Sequence, residues 1–230
     1  MTPASMSKRS DLKIHRIPLR LSNAFLIQRH NKGILIDAGS PGEADRILKR
    51  LQNFGVDQLE WVFITHAHYD HMGSAAEIKR ATGAQVVIHA DDADALAEGA
   101  TILGEVRGRG HLTAWLLPMV EKINPVEPVE ADVVFKNEQF VIPDPEIKIE
   151  AYHLPGHTLG SAGLFVDGTH LFAGDLISTT GTPHPQRFYA QDWEALRNSL
   201  MYIQELKPAL SYPGHGPEAL ELEGLMRLRI

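Results

Sequence analysis

Residues 66–71 read His-Ala-His-Tyr-Asp-His, three imidazoles and one carboxylate within six positions. Neutral imidazole nitrogen and carboxylate oxygen are the preferred ligands of borderline divalent metals such as zinc. The hexapeptide follows Trp61-Val62-Phe63-Ile64-Thr65, an apolar run that reads as a buried strand. On an extended segment His66 and His68 point to the same side, because side chains alternate with period two. Asp70 and His71 fall where the chain turns. Gly73 lies just beyond, and Ala75, Ala76, Ile78 and Lys79 begin a helical pattern. Ligands leaving a strand end and a turn aim in different directions, so one hexapeptide can serve two neighbouring ions. A solvated His-rich loop would have no reason to sit between a strand and a helix.

The elements that must hold such a cluster alternate along the chain. Strand-type runs occur near 12–18, 23–29 and 33–37, the last ending in Ile36-Asp37-Ala38-Gly39. Ala44, Ile47, Leu48 and Leu51 then recur at helical spacing. After the 61–65 strand the pattern predicts a helix over 73–82, a strand at 85–89 and a helix from about Asp91. The second half predicts strands near 132–135, 138–142, 147–153, 162–166 and 169–173. A helix over 192–206, a strand at 209–212 and a last helix from Pro217 follow. Three later motifs end apolar runs: His157 in Pro155-Gly156-His157, Asp175 in Ala173-Gly174-Asp175, and His215 in Pro213-Gly214-His215.

Taken in order, the hexapeptide and these three motifs resemble the ligand set of the metallo-β-lactamase superfamily, whose signature is HxHxDH. The resemblance runs from about residue 12 to 220 and lacks a motif only near 95–145. It implies an α/β fold, the αβ/βα four-layer sandwich of two mixed β-sheets flanked by helices. It also implies that His66, His68 and His157 hold one metal and Asp70, His71 and His215 a second, with Asp175 bridging. Three imidazoles plus water form the open site typical of catalytic zinc. Coordination lowers the pKa of bound water to roughly 7, giving a nucleophile at neutral pH. Asp70 is also the expected proton acceptor. Asp37 is expected to orient a ligating His from behind. The implied cofactors are two divalent ions, zinc first, with manganese or iron also compatible.

The implied activity is hydrolysis of a small ester, lactone, thioester or phosphoester. A mono-iron persulfide dioxygenase of the same superfamily is the alternative, since two histidines and a carboxylate also mark non-haem iron oxygenases. Glyoxalase II-like thioesterases share the ligand set but add a carboxy-terminal domain, whereas this sequence ends fifteen residues after His215. Lactonases of the superfamily place a tyrosine three positions after the bridging Asp, where this chain has Ser178. Tyr189 is the candidate substitute. The loop from Ser178 to Tyr189, with His184, Arg187 and Tyr189, is expected to border the cleft. Trp115 lies in an insert near 95–130, together with Leu112, Leu116 and Met119, and reads either as part of a lid or as ordinary packing. His89 and His153, at strand ends, read as structural rather than ligating.

Composition bounds the rest. The 230 residues are 43% hydrophobic, enough for one core over 11–230. Residues 1–10 read as a polar, disordered leader without the apolar core of a signal peptide. A net charge of −7 lacks the basic stripe a nucleic-acid surface needs. No apolar stretch approaches the ~18 residues of a membrane span. With no cysteine, every ligand must be His, Asp or Glu, and the cytoplasm is the expected location. The expected partner is a small-molecule substrate, not nucleic acid or membrane, and a dimer is compatible.

Overall fold

The computed structural model describes residues 12–144 and 147–229, so the expected leader over 1–10 lies outside the described residues. The first half comprises strands β1 (Leu12–Pro18), β2 (Asn23–Arg29) and β3 (Lys32–Ile36), helix α1 (Ala44–Phe54) and strand β4 (Gln58–Phe63). Helices α2 (Tyr69–Met72) and α3 (Ala75–Thr82), strand β5 (Gln85–His89) and helix α4 (Ala90–Glu98) follow. Next come a two-residue strand β6 (Glu105–Val106), helix α5 (Gly110–Ile123) and strand β7 (Val133–Phe135). The second half contributes β8 (Gln139–Ile142), β9 (Ile149–His153), β10 (Ala162–Val166) and β11 (His170–Phe172). Short strands β12 (Ile177–Ser178), β13 (His184–Pro185) and β14 (Tyr189–Ala190) precede α6 (Trp193–Leu206). Strands β15 (Leu210–Tyr212) and β16 (Leu220–Glu221) and helix α7 (Leu222–Arg227) complete the chain.

Two six-stranded sheets result, ordered β1-β2-β3-β4-β5-β7 and β16-β15-β11-β10-β9-β8. Both are mixed: β3, β4, β5 and β7 pair in parallel, as do β11 and β15, and the remaining neighbours in the two sheets run antiparallel. Period-two alternation divides the apolar residues between two faces. Phe25, Ile27, Ile34, Ile36, Phe63 and Val87 meet Ile149, Ala151, Leu164 and Phe172 between the sheets. Leu26, Leu35, Val62 and Val86 turn the other way, against Ile47 and Leu51 of α1 and Ile78 of α3. Behind the second sheet, Tyr152, Phe165 and Leu171 pack on Leu196, Leu200 and Ile203 of α6. Both faces of each sheet are therefore covered, which explains why these strands read as continuous apolar runs. The arrangement is a four-layer αβ/βα sandwich.

Two boundaries depart from the sequence pattern. The strand before the hexapeptide starts at Gln58 and ends at Phe63, so His66 and His68 lie in the loop beyond it. Parallel pairing of Trp61-Val62-Phe63 with β3 and β5 ends the strand there. The last helix begins at Leu222, not Pro217, because Leu220–Glu221 pairs with β15 first. Among the described residues no helix is long and apolar enough to cross a membrane.

Candidate metal centre

Four segments carry the candidate ligands to one end of the sandwich, and a fifth carries Asp37 behind them. Asp37 follows β3; His66, His68, Asp70 and His71 follow β4; His157 follows β9; Asp175 follows β11; His215 follows β15. These are the ends of strands from both sheets, the edge at which open α/β sheets bind ligands. Ligand atoms of His66, His68 and His157 lie within 4.8 Å of one another, as do those of Asp70, His71 and His215. A third such group, His66, His71 and Asp175, joins the two. Asp175 Oδ2 is 3.0 Å from His215 Nε2 and 3.5 Å from His157 Nε2, while Oδ1 is 3.2 Å from His71 Nε2. One carboxylate thus faces imidazoles of both groups.

Each of the five histidines has one ring nitrogen committed to an oxygen that must accept. His71 Nδ1 donates to Asp37 Oδ2 at 2.8 Å, and His215 Nδ1 to the Leu21 carbonyl at 2.8 Å. His157 Nδ1 donates to the Tyr189 carbonyl at 3.2 Å, and His68 Nε2 to the Ile102 carbonyl at 3.1 Å. The Thr65 hydroxyl donates to Asp37, so it accepts from His66 Nδ1 at 3.0 Å. In the neutral form, every remaining nitrogen is then a bare lone pair. Two of them, His66 Nε2 and His157 Nε2, face each other at 3.2 Å. Lone pairs that close repel unless a cation stands between them. Asp175 Oδ1 adds a buried acceptor without a hydrogen-bond partner. Imidazole lone pairs with carboxylate oxygens form the donor set a borderline divalent ion prefers, so the residues fit such ions.

Electrostatics divides the site in two. Burial, then the neighbouring imidazoles, pushes His66 well below the ordinary histidine range. Burial also lowers His68, and takes His157 to about 3. These three stay neutral, as ligands must. Around the other group burial is outweighed. Asp175, Asp37 and Asp70 raise His71 well above its ordinary value, and Asp175 with Asp70 raises His215 to about 9. Burial would raise Asp175, but His215 and His71 hold it well below the usual carboxylate range. That half of the site demands positive charge, which protons or a metal cation can supply.

Several residues that build the centre were not among the sequence candidates. Asp92 is buried and joins two ligand loops. Its Oδ2 accepts from Ala67 N–H at 2.8 Å and the Thr158 hydroxyl at 2.7 Å, and its Oδ1 accepts from Gly160 N–H at 2.9 Å. Asn23 holds the His215 loop, donating to the Gly216 carbonyl at 2.8 Å and accepting from Arg16 at 2.8 Å. In sequence Asp92 was indistinguishable from a helix N-terminal acid. Replacing Asp92 by Ala orphans the buried N–H groups of Ala67 and Gly160, at about 1–3 kcal/mol each, and leaves the Thr158 hydroxyl only Ser161 at 2.8 Å. A melting point lower by roughly 6–12 °C is expected for a loss of ~3 kcal/mol in a chain this long, checked by calorimetry.

A cleft of about 570 Å³ opens beside Asp175 and His215 and is lined by His184, Arg187 and Tyr189. Helix α5 reaches it through Gly110 and Thr113, with Arg109 just before the helix. Trp115 is not among the lining residues and is 75% exposed, as Leu112 and Met119 are also exposed. Tyr189 lies with its ring centroid 5.6 Å from His157 and 6.1 Å from His68. Burial, with the charges of Asp175 and Asp70, raises its phenol above the ordinary value, so it keeps its proton. His89, Asp91 and His153 form a further group within 4.8 Å. There the two rings stack at 3.8 Å and 9°, so their in-plane lone pairs run side by side instead of converging.

The family model for the metallo-beta-lactamase superfamily matches residues 17–215. The chain belongs to the metallo-β-lactamase superfamily. It is 26% identical over 226 residues to a Bacillus subtilis (strain 168) protein named "Probable metallo-hydrolase YflN", covering 88% of this chain and 83% of that one. It is 25% identical over 177 residues to the hydroxyacylglutathione hydrolase of Pelagibacter ubique (strain HTCC1062), and there it spans only 59% of the relative's length. Among solved structures, the BLEG-1 B3 metallo-beta-lactamase superposes with a TM-score of 0.74 at 22% identity, covering 93% of this chain and 96% of that one. The family protein TTHA1429 of Thermus thermophilus superposes with a TM-score of 0.70 at 19% identity, covering 93% and 76%. At those identities the structures speak for the fold alone.

Proposed function

We propose that this chain is a dinuclear metal-dependent hydrolase of a small ester, lactone, thioester or phosphoester. The observation that carries the reading is the convergence of five imidazole rings, each with one nitrogen left for a cation, on the carboxylates of Asp70 and Asp175. His66, His68 and His157 would hold one divalent ion, and Asp70, His71 and His215 the other, with Asp175 between them. Zinc suits that donor set best, and manganese or iron can also use it. Such ions supply a nucleophile at neutral pH and neutralise charge on the substrate oxygen.

The chain's own residues do the remaining work. Asp70, whose side chain is 20% exposed and lies 3.5 Å from His215 Nε2, is placed to accept the proton of the attacking water. Tyr189 keeps its phenol proton and donates it, as a hydrogen bond, to the oxygen on which charge develops. Asp37 and the carbonyls of Leu21, Ile102 and Tyr189 keep the imidazoles aimed, and such outer partners typically govern ~10–100-fold in affinity or rate. The relatives named as hydroxyacylglutathione hydrolases put thioesters first among the substrates to try.

Elemental analysis after metal-replete growth, followed by chromogenic esters, lactones, thioesters and phosphodiesters, tests the reading. Two ions per chain and turnover of at least one class are expected; one iron, or no turnover with both ions bound, would overturn it. Tyr189→Phe removes one donor to the developing charge and is expected to lower kcat by about 10²-fold. Its metal content should not change, because the phenol of Tyr189 is not a ligand.

A further inference from the structure

The cleft inverts the charge of the protein that contains it, and we propose that it does so to hold a carboxylate on the substrate. The inference rests on the hydrolase reading above and names the substrate class of the same site. The chain carries a formal charge of −7. Yet among the described residues the only acid lining the cleft is Asp175, already faced by His71 and His215, while Arg109 and Arg187 both line it.

Most arginines with a carboxylate nearby use it. Arg80 is bonded to Glu127 at 2.7 Å, Arg107 to Glu105 at 2.9 Å and Arg29 to Asp144 at 2.9 Å. Among the described residues, Arg109 and Arg187 have no carboxylate within 4.0 Å. Backbone pairing brings the two to one wall. Strands β6 and β14 pair Val106 with Tyr189 and Glu105 with Ala190, and Arg107 N–H donates to the Phe188 carbonyl at 2.5 Å. Gly110 packs so closely that an added Cβ would meet the Phe188 carbonyl oxygen at 2.7 Å. The guanidinium of Arg187 lies 5.1 Å over the Phe188 ring, which orients it. Two planar, permanently charged forks on one wall match a carboxylate better than a lysine pair would.

The ester bond therefore belongs near Asp175 and His215, with the carboxylate reaching Arg109 and Arg187. The test is a matched pair of chromogenic substrates, the mono-p-nitrophenyl ester of glutarate and the same ester with its free carboxylate methylated. The wild-type protein should prefer the carboxylate form in kcat/KM, and less so as salt is raised. In Arg109→Gln, Arg187→Gln and the double variant, kcat/KM for the carboxylate ester should fall roughly tenfold or more beyond the fall for its methyl ester. Arg187→Lys should restore part of the preference. Equal losses for both esters, or a wild-type preference for the neutral one, would overturn the clamp. If neither ester is turned over, the hydrolase reading is judged by the wider panel of lactones, thioesters and phosphodiesters. Calorimetric titration of glutarate then judges the clamp alone: binding by the wild type that weakens in the double variant supports it, and equal or absent binding refutes it.

Discussion

Asp175→Asn is expected to strip metal from both halves of the centre and abolish turnover, while Asp70→Asn should loosen one half only. Asp175 offers one oxygen to His71 at 3.2 Å and the other to His215 at 3.0 Å, with His157 at 3.5 Å. An amide keeps the shape but turns one oxygen into a donor and removes the charge. Whichever way the amide sits, one side of the centre loses its anionic ligand and the other keeps only a neutral carbonyl. Loss of an outer partner already costs ~10–100-fold in metal affinity, so loss of a shared ligand should exceed that range. Asp70, by contrast, is 3.5 Å from His215 and 3.9 Å from His71, away from the neutral trio of His66, His68 and His157. Asp70→Asn should thus retain about one ion per chain, with kcat lower by roughly 10²-fold for loss of a general base. Elemental analysis and initial rates on the same preparations decide the matter. Two ions retained in both variants, with wild-type rates, would show that the ligand assignment is mistaken.

The sandwich was legible because its two sheets are buried on both faces. Runs such as Ala24–Ile27, Ile34–Ile36 and Val86–Ile88 must then be apolar at every position, and the pattern marks them whatever their partners. The candidate ligands were legible for a chemical reason: His66, His68, Asp70 and His71 gather within six residues, and His157, Asp175 and His215 each end an apolar run beside a glycine. What supports them was not. Thr65, Asp92 and Asn23 each rely on a hydrogen bond to a residue distant in sequence, from Thr65 to Asp37, Ala67 to Asp92 and Asn23 to Gly216, 28, 25 and 193 positions apart, and no local pattern encodes such a partner. Asp37 was visible as an acid at a strand end. Its positive φ of 60° and its three-way contact with Thr65 and His71 emerge only in the folded chain. The cleft wall was half visible. Arg187 and Tyr189 follow Asp175 closely in sequence, but Arg109 joins them through the pairing of β6 with β14 and the packing of Gly110 on Phe188.

The glycines beside the ligands have a steric role that the motif alone does not reveal, and Gly214 shows it best. Its backbone is fixed on both sides: its N–H donates to the Gly174 carbonyl at 2.8 Å, and its carbonyl accepts from Asn23 N–H at 2.8 Å. A Cβ at this position would lie 2.3 Å from Asp175 Oδ1 and 2.8 Å from His71 Cε1. Neither neighbour is the free end of a flexible chain, since both side chains are buried and face each other. The shared carboxylate must therefore move by about 0.7 Å or more to clear 3.0 Å, several times the ligand tolerance of a metal site, about 0.2 Å. Gly214→Ala is expected to lose metal and cut turnover by on the order of 10²-fold, the scale at which misplacing a reacting group by ~1 Å operates. Gly224→Ala in α7 is the control. Its Cβ would meet only Leu220, at 3.2 Å and 4.0 Å, and Ala replaces Gly in a helix with a gain of about 0.5–1 kcal/mol. Metal content, rate and melting temperature of the two variants separate the causes. A Gly214→Ala protein that binds metal and turns over like the parent would mean that Asp175 is not held where the ions need it.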